Sequence, residues 1–227
     1  MHILLTDLLF CPRCGPQHGL ILLANRLEER RVLDGWLGCS NCREHYALVE
    51  GALDLRVGVG IMQDRRSLVQ REEGAAWLAA LMGLAGVQGT VAIVGQGAEL
   101  APAVAYLVPD VEVVALTGSL VLGAEPPGVS RVASGPSLPF RTGALRALAL
   151  TGGADVTWQD ALRVVAPGGR LVVDGAAPHL AESIRAAGVD VLVDQEGVLV
   201  ARAPATPVAA QRAPAPAAED LFWGDSR

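Results

Sequence analysis

From about residue 74 onward, apolar segments alternate between two lengths, short β-branched runs and longer Ala/Leu-rich ones, punctuated by glycine and proline. TVAIVG, VEVVALTG, SRVASG, LRALALTG and RLVVDGAA read as strands. Between them, AELAPAVAYLV, TWQDALRVVAPGG and PHLAESIRAAG read as helices, the second with Thr157 as N-cap and glycines as its stop. EEGAAWLAALMGLAGV reads as a buried helix ahead of the first strand, and VDVLVDQEGVLVARA as an antiparallel hairpin turning at Gln195–Gly197. After the second strand, SLVLGAEPPG leaves room for barely a helical turn. Alternating strands and helices predict a doubly wound, mostly parallel sheet. The region before residue 60 differs: MHILLTDLLF reads as a strand leading into CPRCG, followed by hairpin-like segments. From Asp64 to Gln70 the chain is charged.

This pattern predicts four regions: a small β module over 1–60, an α/β domain over 61–202, a Pro/Ala-rich linker over 203–218 and an acidic-aromatic tail over 219–227. A chain of 227 residues, 51% of them hydrophobic, holds one sizeable core plus a satellite. Aromatics are only 4%, so Val, Leu, Ala and Ile must fill the interior.

The net charge of -6 disfavours nucleic acid as a partner, because phosphate neutralisation needs a basic surface. The imbalance lies mainly in residues 72–227, where nine Arg face 16 acids. The start of the chain lacks a basic n-region and a cleavage site. The uncharged run from Gly74 to Gly89 is too short to cross a bilayer. A cytoplasmic protein, at most peripheral to a membrane complex, is expected.

All four cysteines fall in two Cys-x-x-Cys pairs, Cys11/Cys14 and Cys39/Cys42. Two such knuckles supply the four-thiolate tetrahedron of a structural zinc site. Two disulfides are the alternative, disfavoured by the missing secretion signal. His18 and His45 are expected to be surface polar residues, not ligands.

CPRCG followed by REHYALVEGALDLR, with Tyr46, Gly51 and Leu53, resembles the Trm112-like zinc-ribbon family over residues 1 to about 56. Ala52 departs from the family's isoleucine, and the usual proline is missing. The resemblance implies a ribbon that binds and stabilises methyltransferase partners without performing chemistry itself. A closed four-sulfur shell agrees, since it leaves no open position for a substrate.

SLPFRTGALRALALT and ALRVVAPGGRLVV, with the closing hairpin, resemble class I S-adenosylmethionine-dependent methyltransferases. That resemblance implies a Rossmann-like sheet and a cofactor loop at VGQGAEL. Its cofactor positions fall on Gly95, Gly97, Thr117 and Ser134. Here the family's acid before the glycines is Ile93, its third glycine is Glu99, its ribose-binding acid is Thr117 and its adenine-binding aspartate is Ser134. A charge-assisted hydrogen bond is worth roughly 1.5–3 kcal/mol, so losing two acid acceptors costs about 3–5 kcal/mol. A micromolar site then drifts toward millimolar, at about 1.4 kcal/mol per tenfold. S-adenosylmethionine is therefore expected to bind poorly.

No nucleophile, paired base or catalytic metal set is legible; Trp158 reads as a packing residue or, alternatively, a substrate platform. In the tail, Leu221, Phe222 and Trp223 read either as a docking motif or as a frayed end. The leading expectation is a non-catalytic scaffold subunit of a larger assembly, on a degenerate methyltransferase fold. The alternative is an active methyltransferase acting on RNA, protein or a small molecule.

Overall fold

The structure, a computed structural model, describes residues 1–58, 63–64, 74–152 and 154–205. Most of the linker, and the tail with Leu221, Phe222 and Trp223, lie outside the described residues.

The chain opens with a one-turn helix, α1 (Leu5–Leu8), where a strand was expected. Met1, Leu5 and Leu9 are all buried while Leu4 is 58% exposed. A spacing of four puts the three buried side chains on one side of a helical turn, which a strand's two-residue alternation cannot do. Then come β1 (Phe10–Cys11), β2 (Gly15–Gly19), β3 (Ile21–Glu28), β4 (Arg31–Gly38), β5 (His45–Val49) and β6 (Ala52–Asp54). A two-residue strand, β7 (Gln63–Asp64), precedes α2 (Ala75–Met82).

The alternating part follows. β8 (Gly89–Val94) leads through a 3-10 turn at Gln96–Leu100 into α3 (Ala101–Leu107). β9 (Val111–Thr117), the short β10 (Leu120–Val121), β11 (Val129–Ala133) and β12 (Leu145–Leu150) come next. No helix forms between β9 and β11. The chain closes with α4 (Trp158–Val164), β13 (Val165–Asp174), α5 (Leu180–Ala186), β14 (Asp190–Gln195) and β15 (Val198–Arg202).

Among the described residues the main sheet has 11 strands in the order β14-β15-β13-β12-β8-β9-β11-β6-β5-β4-β3. β13, β12, β8, β9 and β11 are parallel, and the β14–β15 hairpin joins them antiparallel at one side. The hairpin turns through Glu196 and Gly197, both at positive φ (51° and 79°), the geometry that matches strand twist in a two-residue turn. This is the mostly parallel, hairpin-terminated sheet the sequence predicts.

At the opposite side β6 pairs parallel with β11, Ala52 to Asp54 against Arg131 to Ala133. The antiparallel run β3–β4–β5–β6 thereby extends the parallel sheet without a break. Polar contacts reinforce the junction. Arg31 donates to both carboxylate oxygens of Glu112 at 2.7 and 2.8 Å. The buried Met1 amino group donates to the carbonyls of Val32 and Gly51 and pairs with Glu125. Buried Arg131 donates to the carbonyls of Val121, Gly123 and Glu50.

Side chains alternate across the parallel strands. Val91, Ile93, Val113 and Ala115 pack on the α2–α3 side. Ala92, Val94, Val114 and Leu116 join α4, α5 and the N-terminal elements on the other. Covering both faces is what a parallel sheet requires.

Thr157 caps α4 as expected, accepting the N–H of Asp160. The Pro-Gly-Gly block does not stop that helix; α4 ends at Val164 and the block lies inside β13. A Cβ on Gly169 would sit 2.4 Å from the carbonyl oxygen of Arg146, so glycine there lets β13 approach β12 closely. Arg163, 4% exposed, leaves the same helix to pair with Asp160 and donate to the carbonyls of Leu138 and Phe140. That clamp holds the SLPF segment.

Candidate functional site

The first site is the sulfur cluster. The antiparallel β1–β2 pair presents Cys11 and Cys14, and the turn after β4 presents Cys39 and Cys42. All four sulfurs lie within 4.8 Å of one another, without His18 or His45. Cys11 to Cys42 measures 3.7 Å and Cys14 to Cys39 3.8 Å. Both are far beyond the ~2.05 Å of a disulfide. They match the ~3.8 Å edge of a tetrahedron whose corners stand ~2.3 Å from a central zinc. The four cysteines therefore fit zinc.

The surroundings suit thiolates. Tyr46 Oη lies 3.2 Å from Cys11 Sγ, and Asn41 Nδ2 donates to Cys14 Sγ at 3.3 Å. The backbone N–H of Cys42, helped by that of Asn41, pulls the Cys39 thiol down to about 7 against the opposing effect of burial. Burial pushes the Cys11 thiol up, partly offset by the Tyr46 hydroxyl. Bound zinc would neutralise the sulfurs and tie the two knuckles together.

The second site is the carboxyl edge of the parallel strands, where doubly wound sheets bind ligands. The register sets Val94 beside Leu116, and Thr117 beside Ala133. Gly95, Thr117 and Ser134 thus stand at the ends of three neighbouring strands, and Gly97 lies in the 3-10 turn after Gly95. Ser134 N–H donates to the Thr117 carbonyl, linking those two positions, while Gly97 turns toward Thr151 on the opposite side of β8.

Their hydrogen bonds run inward. Gly97 N–H donates to Thr151 Oγ1 at 2.7 Å, and Gln96 N–H to the Gly152 carbonyl at 2.9 Å. Thr151 Oγ1 in turn donates to the Val94 carbonyl at 2.6 Å. Gly95 N–H donates to Leu116 O. A Cβ on Gly95 would meet Thr151 O at 2.5 Å, and one on Gly97 would meet Thr151 Cγ2 at 2.6 Å. The glycines are needed because the end of β12 occupies the space beside them. Thr117 Oγ1 donates to the Ser119 carbonyl at 2.6 Å, and Ser134 Oγ to that of Ser137 at 3.2 Å. Ile93, where the family carries an acid, is fully buried.

Beside the loop, across β12, lies a crevice of about 410 Å³ lined by residues that include Thr151, Trp158, Asp174 and Leu180. Trp158 is half-buried there and packs against the core, so it both fills space and faces the crevice. Thr151 was not singled out from sequence. Its one signal was position, the first polar residue after the apolar run of β12.

No protein-family model matches the chain, and no curated protein does. The strand order, a run of parallel strands bordered on one side by an antiparallel hairpin and covered by helices on both faces, is that of a methyltransferase-like α/β fold. Solved structures that resemble it include the antibiotic-resistance methyltransferase Kmr, at 18% identity and a TM-score of 0.41 over 57% of this chain and 92% of that one. A second is the MycE methyltransferase from the mycinamycin biosynthetic pathway, in complex with Mg and SAH, at 11% identity and 0.49 over 62% and 49%. A third is the 1,6-didemethyltoxoflavin-N1-methyltransferase of Burkholderia thailandensis, with 1,6-didemethyltoxoflavin and S-adenosylhomocysteine bound, at 17% identity and 0.41 over 59% and 78%. Among the described residues no helix is long and apolar enough to cross a membrane.

Proposed function

We propose that this protein is a non-catalytic structural subunit of a larger assembly, in which a zinc-held Trm112-like ribbon braces a methyltransferase-like sheet. The observation that carries this reading is the closure of the glycine loop on Thr151. Two amides that a cofactor loop would offer to its ligand, those of Gln96 and Gly97, are hydrogen-bonded to Gly152 and Thr151. Releasing them costs about 1 kcal/mol each, on top of the missing acids.

The residues present do not fit S-adenosylmethionine. Thr117 and Ser134 direct their hydroxyl protons to nearby carbonyls, and no carboxylate stands at Ile93, Thr117 or Ser134 to take the ribose or adenine hydrogens. Glu99, in the 3-10 turn that follows Gly95, puts a carboxylate at the position of the family's third glycine.

The ribbon's family role, support of a methyltransferase, is supplied here within one chain through β6 and β11. Contacts with other subunits then fall on surfaces the junction leaves open. β3 is the outermost strand, with Ile21, Leu23 and Leu27 about half exposed, and Leu23 lies opposite exposed Trp36. The location that follows is the cytoplasm, with any membrane contact made through partners.

Titration calorimetry of the full chain with S-adenosylmethionine and S-adenosylhomocysteine tests this reading. No heat is expected at ligand concentrations of about 100 µM, and a micromolar dissociation constant would overturn it. An active methyltransferase is the second reading. It is favoured by the placement of Gly95, Thr117 and Ser134 at the carboxyl ends of three neighbouring strands, and that same micromolar constant would favour it over the first.

A further inference from the structure

On the face opposite the sulfur cluster, α2, α3 and the turn before β11 enclose a groove of about 780 Å³. Ala76, Pro102, Tyr106, Leu107, Pro109 and Pro126 form its walls, and among the described residues none that lines it is charged. The apolar surface continues outside it. Tyr106 is 87% exposed, Leu107 49%, and Trp77, next to Ala76, 47%. Large exposed apolar side chains grouped around a concavity mark a binding surface.

We infer that this groove receives the chain's own C-terminal segment, with Leu221, Phe222 and Trp223 as its anchors. Two observations support this occupant. The first is reach. Pro204 and Ala205, the last described residues, lie beside Pro167 and Gly168, at the edge where the parallel strands begin. Leu107 and Pro109 stand just before the start of β9, at the same edge. From β15 to β9 is four strand spacings, about 19 Å at ~4.8 Å each. A Pro/Ala tether over 206–220 spans up to about 46 Å at ~3.1 Å per residue, ample to cross the sheet and rise over a helix.

The second observation is composition. The groove offers an uncharged wall, and Leu221, Phe222 and Trp223 are the only three consecutive large apolar residues beyond Arg202.

Tethering raises the effective concentration to about millimolar. A motif whose free peptide binds with a constant of about 100 µM is then about 90% docked. The inference is independent of whether the glycine loop takes a cofactor.

Photocrosslinking of the full chain tests it, with Tyr106→p-benzoylphenylalanine as the probe, since that side chain is solvent-exposed and its replacement disturbs no core contact. The expected product is an intramolecular crosslink to residues 219–227 at monomer mass, reduced about tenfold by combining Phe222→Ala with Trp223→Ala. A crosslink at dimer mass, which would assign the groove to a second copy, overturns the proposal. So does a crosslink to residues 59–73, or no crosslink in protein with intact zinc content and secondary structure.

Discussion

Thr151 holds Gly97. Its hydroxyl accepts the Gly97 N–H at 2.7 Å while donating to the Val94 carbonyl at 2.6 Å, and its methyl occupies the space a Cβ on residue 97 would need. A loop whose sequence reads as a ligand cradle is thereby fastened to the neighbouring strand of its own sheet. Thr151→Val keeps the shape and removes both side-chain hydrogen bonds, leaving the Gly97 N–H without its acceptor while the Val94 carbonyl keeps the backbone N–H of residue 151. The expected loss is about 1–3 kcal/mol, a fall in melting temperature of roughly 2–10 °C for a chain of this size, measured by differential scanning calorimetry.

The cofactor positions can be restored one charge at a time. Thr117→Asp supplies the acid after β9, and Glu99→Gly removes the opposing one. If weak binding stems from these positions, the double variant gains roughly 10–100-fold in S-adenosylhomocysteine affinity, the equivalent of about 1.5–3 kcal/mol. Isothermal calorimetry checks it, and an unchanged affinity would show that loop closure, rather than charge, controls binding.

Zinc content is expected to be one ion per chain, lost in Cys11→Ser and Cys39→Ser. Because β6 pairs with β11 and Arg31 pairs with Glu112, loosening the ribbon should weaken the whole sheet. Chelation is then expected to lower a single unfolding transition, by roughly 10 °C for each few kcal/mol withdrawn. Two separate transitions, only one of them sensitive to chelator, would show that the junction does not couple the two parts.

Arg163→Met removes a buried cation and leaves Asp160 and the Leu138 and Phe140 carbonyls without their partner. Breaking a buried pair in this way costs about 3–5 kcal/mol. Urea denaturation should show the midpoint falling accordingly. Thr157→Ala, which removes the N-cap of the same helix, is expected to cost only about 1 kcal/mol.

Local signals carried much of this protein. The pairs Cys11/Cys14 and Cys39/Cys42 define a thiolate set by spacing alone, because a four-residue knuckle is a local geometry. Runs such as Val91–Val94 and Val111–Thr117, separated by Ala-rich helical stretches, likewise determined a parallel sheet, since burial on both faces requires continuous apolar strands. The hairpin at Glu196–Gly197 was legible because its turn depends on two adjacent residues.

Tertiary structure decided what depends on partners distant along the chain. That α1 is a helix follows from Met1, Leu5 and Leu9 sharing one buried side, which only the packed core reveals. The union of ribbon and sheet rests on Ala52–Asp54 meeting Arg131–Ala133, a parallel pairing without local signature. The fate of the glycine loop rests on Thr151, 54 residues from Gly97. A sequence states which donors and acceptors a loop possesses; the fold alone determines whether they face a ligand or one another.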